Sequence, residues 1–147
     1  FQDEELEKPT LTGHIYVLRS KSTHPFIVKN QDILHKIGVT GGDVNLRIVN
    51  AKKDPTYLLA DVEVVATFKI FDMNRKLLDD LVRRFFSSAR LNLEIKDRFG
   101  FKTEPREWFL VPLPVIDQAI QLVKNGSIID YEYDHKKAKI VKIKAKQ

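Results

Sequence analysis

The stretch GHIYVLR, residues 13–19, decides the fold of this chain. Its β-branched and aromatic residues are typical of a β-strand. A polar segment containing Pro25 follows, and then a second run of the same kind, LHKIGVT at residues 34–40. We interpret the two runs as neighbouring antiparallel strands.

Further along the chain, DVEVVATFKIF at residues 61–71 predicts a third and longer strand. Asp72 is a plausible N-cap for the helix expected next. Residues that recur at helical spacing predict that helix: Leu77, Leu78, Leu81, Val82, Phe85 and Phe86. Simple alternation places a second apolar set on one face of the third strand: Val62, Val64, Ala66, Phe68 and Ile70.

The remaining segments complete an α+β prediction. EWFLVP is again strand-like, and Pro114 begins a helix that ends at Asn125 and Gly126. We therefore expect a small central antiparallel sheet of about three strands flanked by helices, which is ordinary for a domain of this size.

Three segments are expected in the chain. Residues 1–11 form an acidic lead-in, residues 12–126 form the domain, and residues 127–147 form a hairpin or a basic tail. In the hairpin interpretation, SIIDYEYD alternates apolar and acidic positions while KAKIVKIK alternates apolar and basic ones. Its acidic residues would then face lysines of the other strand: Asp130, Glu132 and Asp134.

Composition excludes several classes of site. The 147 residues include no cysteine, so disulfides, thiolate zinc sites and cysteine nucleophiles are excluded. This composition favours a cytoplasmic protein. No apolar run approaches the roughly 20 residues that a membrane helix needs, so no contact with a membrane is expected.

Net charge says less about partners than it first suggests. The formal charge is +5, but residues 135–147 contain six lysines and no acid, so the rest of the chain sums to 5 − 6 = −1. Phosphate affinity in the main body must therefore come from local clusters of lysine and arginine.

The order of the motifs resembles the GIY-YIG nuclease superfamily. GHIY on one strand, HKIG on the next, and Arg47 on the following segment precede a helix that contains an acidic residue. The resemblance covers about residues 12–125. It is strongest to a phage and bacterial branch with a KIG second motif and a downstream segment similar to PREWF, here residues 105–109.

The resemblance implies roles for three residues. Tyr16 would help to activate the attacking water, and Lys36 and Arg47 would stabilise charge on the phosphate. The planar fork of an arginine suits phosphate oxygens. A free tyrosine has a pKa near 10, so lowering it to about 7 would need a nearby cation or a metal-bound water, and Lys36 is the candidate cation.

The acidic positions depart from the pattern that the resemblance implies. Where relatives have Glu and, four residues later, His, this chain has Asp79 and Arg83. Asp79 keeps the carboxylate that a hard cation requires, but Arg83 cannot accept a proton as histidine can. An ordinary i,i+4 ion pair is the alternative interpretation. Glu107 is a second candidate metal ligand, with pairing to a surface cation as its alternative.

Four more side chains are candidates for the same site. His14 precedes Tyr16 by two residues and shares its face of the strand, so it could assist Tyr16. Lys52, Lys53 and Arg83 could extend the surface that binds nucleic acid. Solvated helix ends explain the lysines equally well.

These observations lead to one main hypothesis and two alternatives. The main one is a Mg²⁺- or Mn²⁺-dependent DNA endonuclease, whose specificity would come from a separate recognition domain, a partner subunit or homo-oligomerisation. One alternative is a nucleic-acid-binding module of the same fold without catalysis. The other is a protein-interaction domain.

Overall fold

A four-stranded antiparallel sheet forms the centre of the molecule. The structure is a computed structural model that describes residues 8–92, 95–96, 102–103 and 107–144. The strands in chain order are β1 (Leu11–Ser20), β2 (Leu34–Thr40), β3 (Val62–Phe71), β4 (Ile95–Lys96), β5 (Lys102–Thr103), β6 (Trp108–Leu110), β7 (Tyr131–Asp134) and β8 (Lys139–Lys142). The central sheet has the order β3-β1-β2-β6, and β4-β5 and β7-β8 form two separate pairs.

In the described residues four α-helices connect these strands: α1 (Pro25–Lys29), α2 (Val44–Arg47), α3 (Arg75–Phe86) and α4 (Leu113–Lys124). The predicted α+β class is therefore confirmed, including the flanking helices and the C-terminal hairpin. The central sheet has four strands instead of three, because β6 pairs with β2. None of the described helices is long and apolar enough to cross a membrane.

The sheet separates two groups of core side chains. Ile15 and Val17 point to the side covered by α3 and α4, whose Leu78 and Ile116 are fully buried. Tyr16 lies on the opposite side of β1, with Leu18 as its neighbour two residues on. We call this second side the Tyr16 face.

A β-bulge changes the predicted alternation of β3. Val17 is paired with Ala66, but the next residue, Leu18, is paired with Val64, so Val65 is the extra residue. As a result Val64 shares the Tyr16 face, and Val62 with it, while Ala66, Phe68 and Ile70 share the opposite face. The prediction of one apolar face along all of β3 is therefore wrong.

The start of α3 also differs from the prediction. Asn74 is the N-cap, and its side chain accepts a hydrogen bond from the amide of Leu77 at 3.0 Å. Asp72 has a positive φ of 59° and accepts a hydrogen bond from the amide of Thr10 at 2.9 Å. Asp72 therefore joins the ends of β1 and β3 instead of capping the helix.

The C-terminal hairpin is present, and the predicted pairing of an acidic residue with a lysine holds for Asp134 but not for Glu132. Asp134 is opposite Lys139, whereas Glu132 is opposite Val141. Among the described residues no ion pair links the two strands of the hairpin. Most of the predicted acidic lead-in, residues 1–7, lies outside the described residues.

The buried contacts of α3 predict a large effect from one leucine and a small effect from its neighbour. Leu78 is fully buried, whereas Leu77 is 50% exposed. Replacing Leu78 by alanine leaves a cavity and should lower the free energy of unfolding by about 2–5 kcal/mol. Urea denaturation followed by circular dichroism measures this change. Leu77→Ala is the matched control, and an equal loss from both variants would contradict the packing described.

Candidate functional site

The ring of Tyr16 lies across β2 at Gly38. Tyr16 is opposite Gly38 in the antiparallel register, and a Cβ atom at position 38 would overlap the phenol oxygen. Any larger residue would therefore push the ring away. The glycine of the second motif is explained by this close approach.

A tight turn after β2 presents Arg47. The hydroxyl of Thr40 accepts a hydrogen bond from the amide of Gly42, and Asp43 caps α2 by accepting one from the amide of Asn45 at 2.8 Å. Arg47 ends this short helix and is exposed. Its guanidinium carbon lies 6.0 Å from the centroid of the Tyr16 ring.

The hydroxyl of Tyr16 is buried, and within the described residues nothing accepts its proton, because the neighbouring Arg47 carries only donors. Burial raises the pKa of Tyr16 well above its ordinary value of 10.0, Glu107 raises it further, and Arg47 opposes the shift only in part. Near neutral pH this group therefore stays a protonated phenol, which can donate a hydrogen bond. The cation beside Tyr16 therefore does not bring its pKa below the ordinary value, contrary to expectation.

Lys36 forms a buried ion pair with Glu107. Its side chain is 1% exposed, and Nζ lies 2.6 Å from Oε2 of Glu107. Burial lowers the pKa of Lys36, although the carboxylate of Glu107 opposes this shift. Burial alone would raise the pKa of Glu107, but Lys36 and Arg83 outweigh it and hold that pKa below its ordinary 4.5. The ammonium predicted to contact phosphate thus contacts a carboxylate.

Arg83 connects this pair to α3. Its Nη2 lies 3.2 Å from Oε1 of Glu107 and 3.0 Å from Oδ2 of Asp79. Asp79 sits on the helix that covers the side of the sheet opposite the Tyr16 face. Burial raises the pKa of Asp79, and Arg83 partly offsets the shift. The structure therefore brings Tyr16, Lys36 and Arg47 together, with Asp79 linked to them only through Arg83 and Glu107.

The donor set does not fit the predicted Mg²⁺ or Mn²⁺ ion. Such an ion needs free carboxylate oxygens. Both oxygens of Glu107 contact cations, and Asp79 is paired with Arg83. Nowhere in the described ranges do three or more side chains of the metal-binding types lie together.

The other candidates are His14, Lys52 and Lys53. His14 is partly exposed, and its buried Nδ1 has no hydrogen-bond partner within the described parts of the chain. Lys52 lies 3.4 Å from Asp61, an exposed pair that contributes little to stability. Lys53 is exposed, and no carboxylate of a described residue lies within 4.0 Å of it.

One residue of the site was missed by sequence reasoning. Tyr57 is buried beside Tyr16, and the ammonium of Lys36 lies 5.3 Å from the centroid of its ring. Burial raises the pKa of Tyr57, and Arg47 opposes this shift. No spacing in the sequence relates Tyr57 to the two strands, so only the fold reveals its place in the site.

Comparison with known proteins identifies one family and one relative. The model of the T5orf172 domain, a nucleic-acid-related domain, matches residues 13–124, more than half of the chain. The uncharacterized protein YeeC of Bacillus subtilis (strain 168) is 39% identical over 127 residues. The alignment covers 82% of this chain but only 32% of that relative, so the chain spans about a third of the relative's length. No solved structure matches.

The family match corrects the assignment made from the short motifs. The matching family is the T5orf172 domain and not the GIY-YIG superfamily. The prediction of a GIY-YIG-type endonuclease is therefore wrong. The short motifs did not by themselves distinguish these two families.

The buried ion pair predicts a stability change that depends on pH. At pH 7 the Glu107→Gln variant should lose about 3–5 kcal/mol of unfolding free energy, because the ammonium of Lys36 would be left buried without an anion. The pKa of Glu107 is lowered on folding, so its contribution is fully present above pH 4.5 and is lost as the pH falls through the folded pKa. Urea titrations at pH 7 and pH 3 should show the difference between variant and wild type shrinking at the lower pH.

The control for this experiment is Glu63→Gln. Glu63 forms an exposed ion pair with Arg19 at 3.4 Å, so its loss should change stability by less than about 1 kcal/mol. Equal effects of the two variants would contradict the assignment of Glu107 as the buried partner.

Proposed function

Since the chain belongs to the T5orf172 domain family, we propose that it binds the phosphate backbone of DNA on the Tyr16 face. Arg47 supplies the charge that contacts a phosphate, and the hydroxyl of Tyr16 donates a hydrogen bond to the same group. The ion pair of Lys36 with Glu107 holds the strands that present these two groups.

One observation carries this proposal. Arg47 is exposed, no described carboxylate lies within 4.0 Å of it, and the buried donor beside it, the hydroxyl of Tyr16, has no described partner. A buried hydroxyl without a hydrogen bond is unfavourable, and a cation without a counter-ion attracts anions. A phosphate oxygen that reaches the hydroxyl as the Arg47 side chain moves aside would satisfy both groups at once.

The segment around Arg47 supports a macromolecular ligand. Leu46 and Val49 flank Arg47 in the chain and are 74% and 66% exposed. Such residues can pack on the sugars of a nucleic acid while Arg47 contacts a phosphate. Lys53, at the end of the next helical turn, offers a second exposed positive charge nearby in the chain.

The chemistry of the site favours binding over cleavage. The raised pKa of Tyr16 keeps it a hydrogen-bond donor, so it cannot take a proton from water near neutral pH. Glu107 is held by two cations, which leaves it a poor general base and a poor metal ligand. Binding a phosphate through fixed hydrogen-bond donors requires neither a general base nor a metal ligand.

Substitution of Arg47 tests the proposal directly. Arg47→Gln should weaken binding to a duplex of random sequence by about tenfold or more, because a charged hydrogen bond contributes about 1.5–3 kcal/mol. The slope of log K against log salt concentration should become less steep by about 0.9, the contribution of one phosphate. Fluorescence anisotropy with a labelled duplex measures both quantities.

Two comparisons make this result interpretable. Lys124→Gln removes a charge from the end of α4, on the other side of the sheet, and should leave affinity nearly unchanged. Affinity in EDTA and in Mg²⁺ should be similar. Unaltered affinity of Arg47→Gln would overturn the proposal, as would nicking of supercoiled plasmid in Mg²⁺ that Arg47→Gln abolishes.

The unpartnered hydroxyl gives a second prediction in which stability and binding move in opposite directions. Tyr16→Phe removes a buried polar group that has no partner within the described residues, so the melting temperature should stay the same or rise. DNA affinity should fall severalfold because the phosphate loses one donor. Differential scanning fluorimetry and anisotropy on the same sample compare the two effects. A variant with lower stability and wild-type affinity would show that the hydroxyl has a structural role only.

A further inference from the structure

A lysine-rich hairpin lies outside the part of the chain that the family model matches. The matched residues end at 124, and β7 and β8 follow them. Residues 135–144, which form the turn and β8, contain five lysines and no acidic residue: Lys136, Lys137, Lys139, Lys142 and Lys144. The positive charges of the hairpin are thus concentrated in its turn and second strand.

These lysines are not neutralised by the acidic residues that precede them. Glu132 and Asp134 lie on the adjacent strand, yet no carboxylate of a described residue is within 4.0 Å of any of the five ammonium groups. The Oδ1 atom of Asp134 accepts a hydrogen bond from the backbone amide of Lys137 instead. The hairpin therefore presents a cluster of charges that an anionic polymer can neutralise.

Contacts to α3 and the turn after it hold the hairpin in place. Arg84 donates hydrogen bonds from Nη2 to the carbonyl oxygens of Ile128 and Tyr131, at 2.6 and 2.9 Å. The hydroxyl of Ser88 donates to the carbonyl of Tyr133, whose side chain is buried in the core. The lysines are thus attached to the domain at a defined position, unlike those of a free basic tail.

We infer that this hairpin is a second contact to the DNA backbone. Duplex DNA carries one charge for about every 1.7 Å of its axis, so a cluster of ammonium groups can contact several phosphates without reading sequence. The identity of the ligand rests on the proposed function, but the lysines and Arg47 belong to different elements and can be tested separately.

The same lysines could instead protect the edge of the hairpin, and the experiment must distinguish that role from DNA binding. Lysine on an edge strand also prevents strands of separate molecules from pairing. In that case, removing the charges would promote self-association and leave the affinity for DNA unchanged.

The test is a quadruple variant, Lys136→Gln, Lys137→Gln, Lys139→Gln and Lys142→Gln. At low salt its affinity for a labelled random duplex should be at least about tenfold weaker than that of the wild type, with a salt slope less steep by about 2–4. Its melting temperature should be unchanged, because none of these four side chains makes a described hydrogen bond or ion pair. A control of equal net charge replaces four exposed lysines elsewhere: Lys8, Lys21, Lys29 and Lys124.

The outcomes separate the two proposals. Weak binding by the hairpin variant but not by the control supports the inference, even if Arg47→Gln binds normally and the Tyr16 face is wrong. Equal binding by the hairpin variant and the wild type overturns it, whether or not Arg47→Gln is impaired. Equal losses in the hairpin variant and the control also overturn it, because net charge would then explain the effect. Self-association of the variant on size-exclusion chromatography, with unchanged affinity, would assign the lysines to protection of the strand edge.

Discussion

The buried ion pair between Lys36 and Glu107 is the interaction on which the arrangement of the site depends. It joins the middle of β2 to the residue just before β6, across 71 positions of sequence. A lone ammonium in that position would be strongly unfavourable, so the pairing of β6 with β2 is stabilised by the carboxylate that neutralises Lys36. Arg83 then ties the same carboxylate to α3. The Glu107 side chain thereby contacts both a strand of the sheet and the helix packed against it.

This arrangement also decides what the neighbouring groups can do. With Lys36 neutralised by Glu107, the exposed positive charge beside Tyr16 comes from Arg47. Tyr16 is covered by apolar neighbours and keeps its proton, which makes it a donor to anions. A phenol donor beside a guanidinium group is suited to holding phosphate through fixed dipoles and charge. The same burial that prevents base chemistry therefore supports recognition.

The two strand motifs have a structural explanation that does not depend on catalysis. The strand pattern around Tyr16 and Gly38 reflects a packing requirement, because the ring needs a residue without a Cβ atom opposite it. A packing requirement can be shared by families that use the surface differently. The hairpin beyond residue 124 is attached to the domain through backbone carbonyls that accept hydrogen bonds from Arg84 and Ser88.

The sequence by itself determined the elements whose signals are local. Alternating apolar residues located β1 and β2, helical spacing located α3 and α4, and the acidic and basic runs located the hairpin, because these patterns depend only on the periods of a strand and a helix. Tertiary structure decided the rest. The bulge at Val65, the cap at Asn74, the approach of Tyr57 and the pairing of Lys36 with Glu107 all depend on which distant segments meet. Burial and charge compensation arise only at that stage, so the protonation of Tyr16 could not be read from its neighbours in sequence.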